Sequence, residues 1–89
     1  MFNEIYRPAY ISSATTTQVK TGPGVLHSIV VGETAAGAIS IIDNTTGSTV
    51  NIGQLKASIA EGTYTFNVAF SAGLRIITAG ASKITVNYR

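Results

Sequence analysis

The chain is built from short runs in which apolar and polar residues alternate. The clearest run spans positions 63–70, and a second closes the chain at positions 83–89. A period of two is typical of β-strands that bury one face. No segment shows a sustained period of 3.6 residues. In the two runs the residues predicted to face the core are Tyr64, Phe66, Val68, Phe70, Ile84, Val86 and Tyr88.

Turn-forming residues separate these runs at regular intervals, most clearly at positions 21–24, 44–47 and 79–82. About seven to eight short strands with such tight turns predict antiparallel pairing, because parallel strands need crossovers of about a dozen residues. We therefore predict an all-β fold, an antiparallel β-sandwich over residues 14–89. The pattern leaves open whether the sandwich is of jelly-roll or Ig-like type.

One predicted strand is apolar on both faces. Val25, Ile29 and Val31 share one parity, whereas Leu26 and Val30 share the other. This pattern predicts a strand that is central in the fold or buried a second time at an interface.

A second irregularity lies near Gly53. The apolar positions change parity between Val50 and Ile52 on one side and Leu55 and Ile59 on the other. A bulge or corner near Gly53 is the economical explanation.

Residues 1–13 do not follow the strand pattern. Tyr6, Pro8 and Tyr10 lie in an extended segment that contains a proline. We predict an N-terminal arm that packs on a neighbour or on the flank of its own domain.

Composition narrows the possible partners. Charged residues are 11% of the chain, against roughly 25% in an ordinary soluble domain, and the net charge is +2. The six basic residues are spread along the chain, so no nucleic-acid patch is predicted. The first residues lack the features of a secretory signal, and no apolar run approaches a membrane span of about 20 residues. We expect neither nucleic acid nor a membrane as partner.

The residues that could carry chemistry are few and scattered. His27 is the only histidine, and there is no cysteine, so no zinc site or catalytic triad can be assembled from known patterns. Glu4, Glu33, Asp43 and Glu61 fall in the arm, in loops or at strand ends. We predict no catalytic residue, no metal site and no cofactor, and hence a protein that is not an enzyme.

Assembly is the function that these features favour. A core of this size is marginal without disulfides or metals, and oligomerisation is a common remedy. Charge and proline, which natural monomers use to protect sheet edges, are scarce. We expect a homo-oligomer, with a trimer favoured. The candidate interface residues are Tyr6, Pro8, Tyr10, Leu26, His27 and Val30.

The sequence also resembles small virion structural proteins of tailed bacteriophages. The resemblance lies in Thr15–Val31, Ile41–Gly47, Phe70–Ile76 and Ile84–Tyr88. It implies a capsid decoration or cement protein that stabilises the head, contacts a major capsid protein and resides in the virion after assembly in the host cytoplasm. The alternatives are a small tail or head–tail component, or a carbohydrate-binding or host-attachment module.

Overall fold

The computed structural model describes residues 6–47 and 49–89, and this part of the chain contains eight β-strands and no helix. The predicted all-β fold of seven to eight short strands is confirmed. The strands are β1 Arg7–Ile11, β2 Thr16–Thr21, β3 Gly24–Glu33, β4 Ile39–Asp43, β5 Asn51–Leu55, β6 Gly62–Phe70, β7 Gly73–Thr78 and β8 Lys83–Tyr88.

The strands form two four-stranded sheets. The first sheet has the order β1-β8-β3-β6 and the second the order β2-β7-β4-β5, and every pair is antiparallel. Only β4 and β5 are neighbours both in sequence and in a sheet. The chain therefore crosses between the sheets at almost every turn, so most contacts that hold the sandwich together are distant in sequence.

The core fills the space between the inner faces of the two sheets. β3 lies between β8 and β6, as the apolar character of its sequence predicts for a central strand. The buried apolar residues of this cluster are Ile11, Leu26, Ile29, Val31, Ile39, Ile41, Leu55, Phe70, Leu74, Ile76, Ile84 and Val86.

A β-bulge at His27 explains why core residues occur at both parities of β3. Leu26 pairs with Tyr88 and Ser28 with Asn87, so His27 is the extra residue of β3 opposite β8. The extra residue changes the parity of the strand. Leu26 therefore faces the core together with Ile29, although the two are three positions apart.

The register also shifts where the parity change near Gly53 predicts it. Ile41 pairs with Gly53, but Ile42 pairs with Asn51, so Ile52 is the extra residue of β5. Gly53 also sits close to the opposite sheet: a Cβ added there would lie 3.0 Å from Phe66. This contact shows that β5 lies opposite β6.

The segment predicted as an arm contributes a strand of the sandwich. Residues 7–11 form β1 and pair along their whole length with residues 84–88 of β8. This places them on the flank of their own domain, one of the two arrangements left open by the sequence. Residues 1–5, including Glu4, lie outside the described residues.

Candidate assembly surfaces

Five of the six predicted interface residues lie on one surface, the outer face of the first sheet. Cross-strand pairing aligns Tyr10 with Thr85, Thr85 with Val30, and Val30 with Thr63 in a row across this face. Pro8 occupies the next outward position of β1, opposite Asn87. The surface defined by Tyr6, Pro8, Tyr10, His27 and Val30 is called the outer patch below.

Leu26, the sixth predicted interface residue, is placed elsewhere and requires a correction. Its side chain is fully buried in the core of its own chain. The bulge at His27 turns Leu26 inward, whereas an unbroken alternation with Val30 would have placed both on the outer face. Leu26 therefore has no surface to offer a second chain.

The outer patch is organised around the ring of His27. The rings of Tyr6 and His27 are stacked, with centroids 4.3 Å apart and an interplanar angle of 29°. His27 Nδ1 lies 3.0 Å from Ser28 Oγ, and Asn87 Nδ2 donates to the same oxygen over 3.1 Å. These contacts join the start of β1 to β3 and β8, and they leave Ser28 almost completely buried.

Tyr10 is the most exposed large hydrophobic residue among those described. It lies on the edge strand β1 and is 65% exposed. On the same side of the sheet, Lys83 pairs with Glu33 over 3.2 Å. The hydrogen bond and charge of Glu33, with a smaller contribution from Tyr10, raise the pKa of Lys83. The positive charge of Lys83 is therefore paired with the negative charge of Glu33.

A second apolar surface lies where the two sheets meet at β5 and β6. Both strands are at an edge of their sheet, and no further strand covers them among the described residues. Five hydrophobic side chains there pack against the core but are only partly buried. We call this surface the open seam, and its residues are Ile52, Ile59, Tyr64, Phe66 and Val68.

β6 is the least protected of the four edge strands. β1 contains Pro8, β2 contains Lys20 and a register shift, and β5 has only five residues. β6 has nine residues with neither a charge nor a proline, although its register against β3 shifts between Thr65 and Val68, where Asn67 has a φ of 50°. Long uncharged edges are templates for further strand pairing.

The sequence pattern of β6 hid the open seam. Alternation correctly predicts that Tyr64, Phe66 and Val68 face inward, but alternation says nothing about which strands lie at an edge. That property depends on pairing between distant segments. The feature of the sequence that could have indicated this surface is the absence of charge and proline over the nine residues of β6, which is typical of a strand edge that pairs with another chain.

Among the described acidic residues, Glu33 and Asp43 end strands, Glu61 lies just before β6, and the three do not form a common site. Asp43 accepts hydrogen bonds from the backbone amides of Ser71, Ala72 and Gly73, with its shortest at 2.8 Å to Ala72, and one from the Ser71 hydroxyl. The amides of Ser71 and Ala72, outweighing desolvation, lower the pKa of the Asp43 carboxyl. Glu61 accepts a long hydrogen bond, 3.4 Å, from the Thr34 amide.

Two further observations concern the possible chemistry of residues 6–47 and 49–89. They contain no group of three or more His, Cys, Asp or Glu side chains arranged to hold a metal ion. No pocket is found on this part of the chain.

The structure also contains no membrane-spanning helix: within the described ranges, no helix is long and apolar enough to cross a bilayer.

Comparison with known proteins identifies a shared fold. No protein-family model and no curated protein sequence matches the chain. Among solved structures, the core of Drosophila NLP, a nucleoplasmin core studied for pentamer formation and histone binding, superposes with a TM-score of 0.59. The match covers 97% of both chains at 14% sequence identity. The two proteins share a β-sandwich-like fold across their whole length.

This comparison corrects the expected function. The resemblance to phage proteins implied a capsid decoration or cement protein, but the neighbour described above is a histone-binding nucleoplasmin core and not a virion component. The sequence segments behind that expectation are turns and β-branched strands, which many sandwiches share because the same physics selects them. The expectation of self-association agrees with the pentameric neighbour.

Proposed function

We propose that this protein is a non-enzymatic β-sandwich subunit that functions by assembling with copies of itself into a closed ring. The observation that carries the proposal is the open seam. The edge of β6 carries no charge or proline, and it lies in a surface with five partly buried hydrophobic residues. A second protein surface placed there would pair the free strand edge and bury these side chains.

The low charge of the chain supports the same function. With four acidic and six basic residues in 89, the domain has few charges that would need to be desolvated at an interface, and desolvation of a charge is costly. The partly buried aromatic side chains supply the apolar area that subunit interfaces use.

Five subunits are the stoichiometry that we propose. The neighbour with the same fold is a pentamer, whereas nothing in the structure favours the trimer expected from the sequence. Five copies of the 9.2 kDa chain have a mass of about 46 kDa.

A histone is not the partner that we propose, although the neighbour is named for histone binding. Histones are strongly basic, and this chain is itself basic, with a net charge of +2 and a pI of about 9.2. Like charges on two partners slow their encounter and weaken their complex. A second copy carries a net charge of only +2, so the repulsion between two copies is weaker than the repulsion between this chain and a strongly basic histone.

Light scattering on the full chain tests the proposal. We expect a mass near 46 kDa at micromolar concentration, and a smaller mass for Ile59→Glu, which places a charge in the open seam. Ala36→Glu is the matched control, since Ala36 is exposed in the loop between β3 and β4. A wild-type protein that remains at 9.2 kDa throughout a concentration series up to 1 mM would refute assembly.

A further inference from the structure

Tyr10 and the open seam lie at opposite edges of the first sheet. The order β1-β8-β3-β6 puts Tyr10 on one edge strand and Tyr64, Phe66 and Val68 on the other. Three strand spacings of about 4.8 Å separate these strands, roughly 14 Å. One molecule therefore presents two different apolar patches at opposite edges of one sheet.

From this arrangement we infer that copies associate head to tail, with the Tyr10 edge of one chain docked in the open seam of the next. The inference rests on the proposed self-assembly and specifies its interface. A contact between two different patches leaves one of each free on every pair, so that growth continues until the ring closes. A two-fold contact between identical patches would stop at a dimer.

The two patches are matched in chemistry. Tyr10 offers an exposed ring with a polar tip, and aromatic residues of this kind are common anchors at interfaces. The seam offers the half-buried faces of Phe66 and Ile59. Beside Tyr10, Lys83 already has Glu33 as its ionic partner, so docking leaves that charge paired.

The size of the edge favours a ring over an isolated pair. A strand of nine residues is about 30 Å long, and the smallest dimension of the domain is 16 Å. Such an edge offers roughly 500 Å² of flat area, less than the ~800 Å² per partner typical of a stable pair. In a closed ring each subunit makes two contacts. The contact that closes the ring forms between subunits that are already linked, so it does not require a further encounter in solution.

Cysteine cross-linking tests the inference cleanly, because the chain has no cysteine of its own. Ser12→Cys lies just beyond β1, and Ala60→Cys lies beside Ile59 in the seam; both positions are exposed. A double variant with both changes is treated with a short bismaleimide of about 8 Å reach. Within one chain the edge strands β1 and β6 are roughly 14 Å apart, which is farther than the reagent reaches.

The expected result is a ladder of covalent oligomers from the double variant that ends at five chains. Either single variant should remain monomeric on a denaturing gel, since identical patches do not meet. Adding Tyr10→Glu to the double variant should abolish the ladder. Circular dichroism and an unfolding curve for each variant establish that it is folded.

Two results would overturn the head-to-tail contact alone. Dimers formed by either single variant would show a two-fold interface. If light scattering shows that the double variant is oligomeric but cross-linking gives no ladder, the contact lies elsewhere on the surface. Self-assembly itself would still hold. A wild-type protein that is monomeric by light scattering refutes the proposed function, and with it this interface.

Discussion

The ring of Tyr6 stacks on the ring of His27, with 4.3 Å between their centroids. Tyr6 immediately precedes β1, and His27 is the bulged residue of the central strand β3. The guanidinium carbon of Arg89 lies 5.9 Å from the centroid of Tyr6 on the same side of the molecule. The stack therefore ties the N-terminal edge strand to the centre of the first sheet.

Removing this stack should loosen β1. Aromatic pairs contribute about 0.5–1.5 kcal/mol beyond their buried area, so we expect His27→Ala to lower the free energy of unfolding by roughly 1 kcal/mol. Amide hydrogen exchange should accelerate in β1 more than in β4. The measurements are urea unfolding at fixed protein concentration and exchange by mass spectrometry. His27→Phe, which keeps a stacking ring, is the control and should retain most of the protection of β1.

The Asp43 carboxylate should make stability depend on pH in the acidic range. Its pKa is lowered in the folded protein because the carboxylate accepts hydrogen bonds from the backbone amides of Ser71 and Ala72. A depressed folded pKa means that the stabilisation is complete above the unfolded pKa, about 3.9. It is lost as the pH falls through the lower folded value.

Asp43→Asn measures this contribution. We expect the variant to unfold at a lower urea concentration than the wild type at pH 7, and the difference to shrink below about pH 4, near the ordinary pKa of a carboxyl group. Glu61→Gln is the control, because Glu61 makes a long hydrogen bond. A difference between wild type and Asp43→Asn that is the same at pH 7 and pH 2.5 would contradict the assigned role.

The elements that sequence predicts here are those fixed by local pattern. Alternation locates β6 and β8, and the parity change near Gly53 locates the shift in β5. The features that the local pattern does not predict depend on strands that are distant in sequence. The bulge at His27 is defined by unequal pairing with β8. The sequence pattern of β3 alone therefore places Leu26 on the surface. The open seam was missed for the same reason, since the edge position of β6 follows from sheet order.

Gly37 is a position where any side chain should be harmful. A Cβ there would overlap the backbone nitrogen of Gly80 and would lie 2.6 Å from the carbonyl carbon of Ala79. Backbone atoms cannot move aside as a flexible side chain does. We expect Gly37→Ala to cost about 1–3 kcal/mol, the range for overpacking.

Gly32→Ala is the matched control for Gly37→Ala. The nearest atom to a Cβ at Gly32 is the carbonyl oxygen of Lys83, 3.6 Å away, which is ordinary van der Waals contact. We expect a change in unfolding free energy below about 0.5 kcal/mol, typical of a tolerated surface substitution. Thermal unfolding of both variants decides the question, and equal losses would contradict the close approach of the loop before β4 to the turn before β8.

Truncation of Leu26 and of Val30 should destabilise the protein to very different extents, although both residues were expected at an interface. Leu26 is fully buried, so Leu26→Ala leaves a cavity and should cost about 2–5 kcal/mol. Val30 is half-buried on the outer face, where Val30→Ala should cost less than about 1 kcal/mol. Urea unfolding of both variants at one protein concentration compares them directly. Because the bulge at His27 alone turns Leu26 inward, a small loss for Leu26→Ala would mean that β3 alternates without interruption, and Leu26 would return to the surface beside Val30.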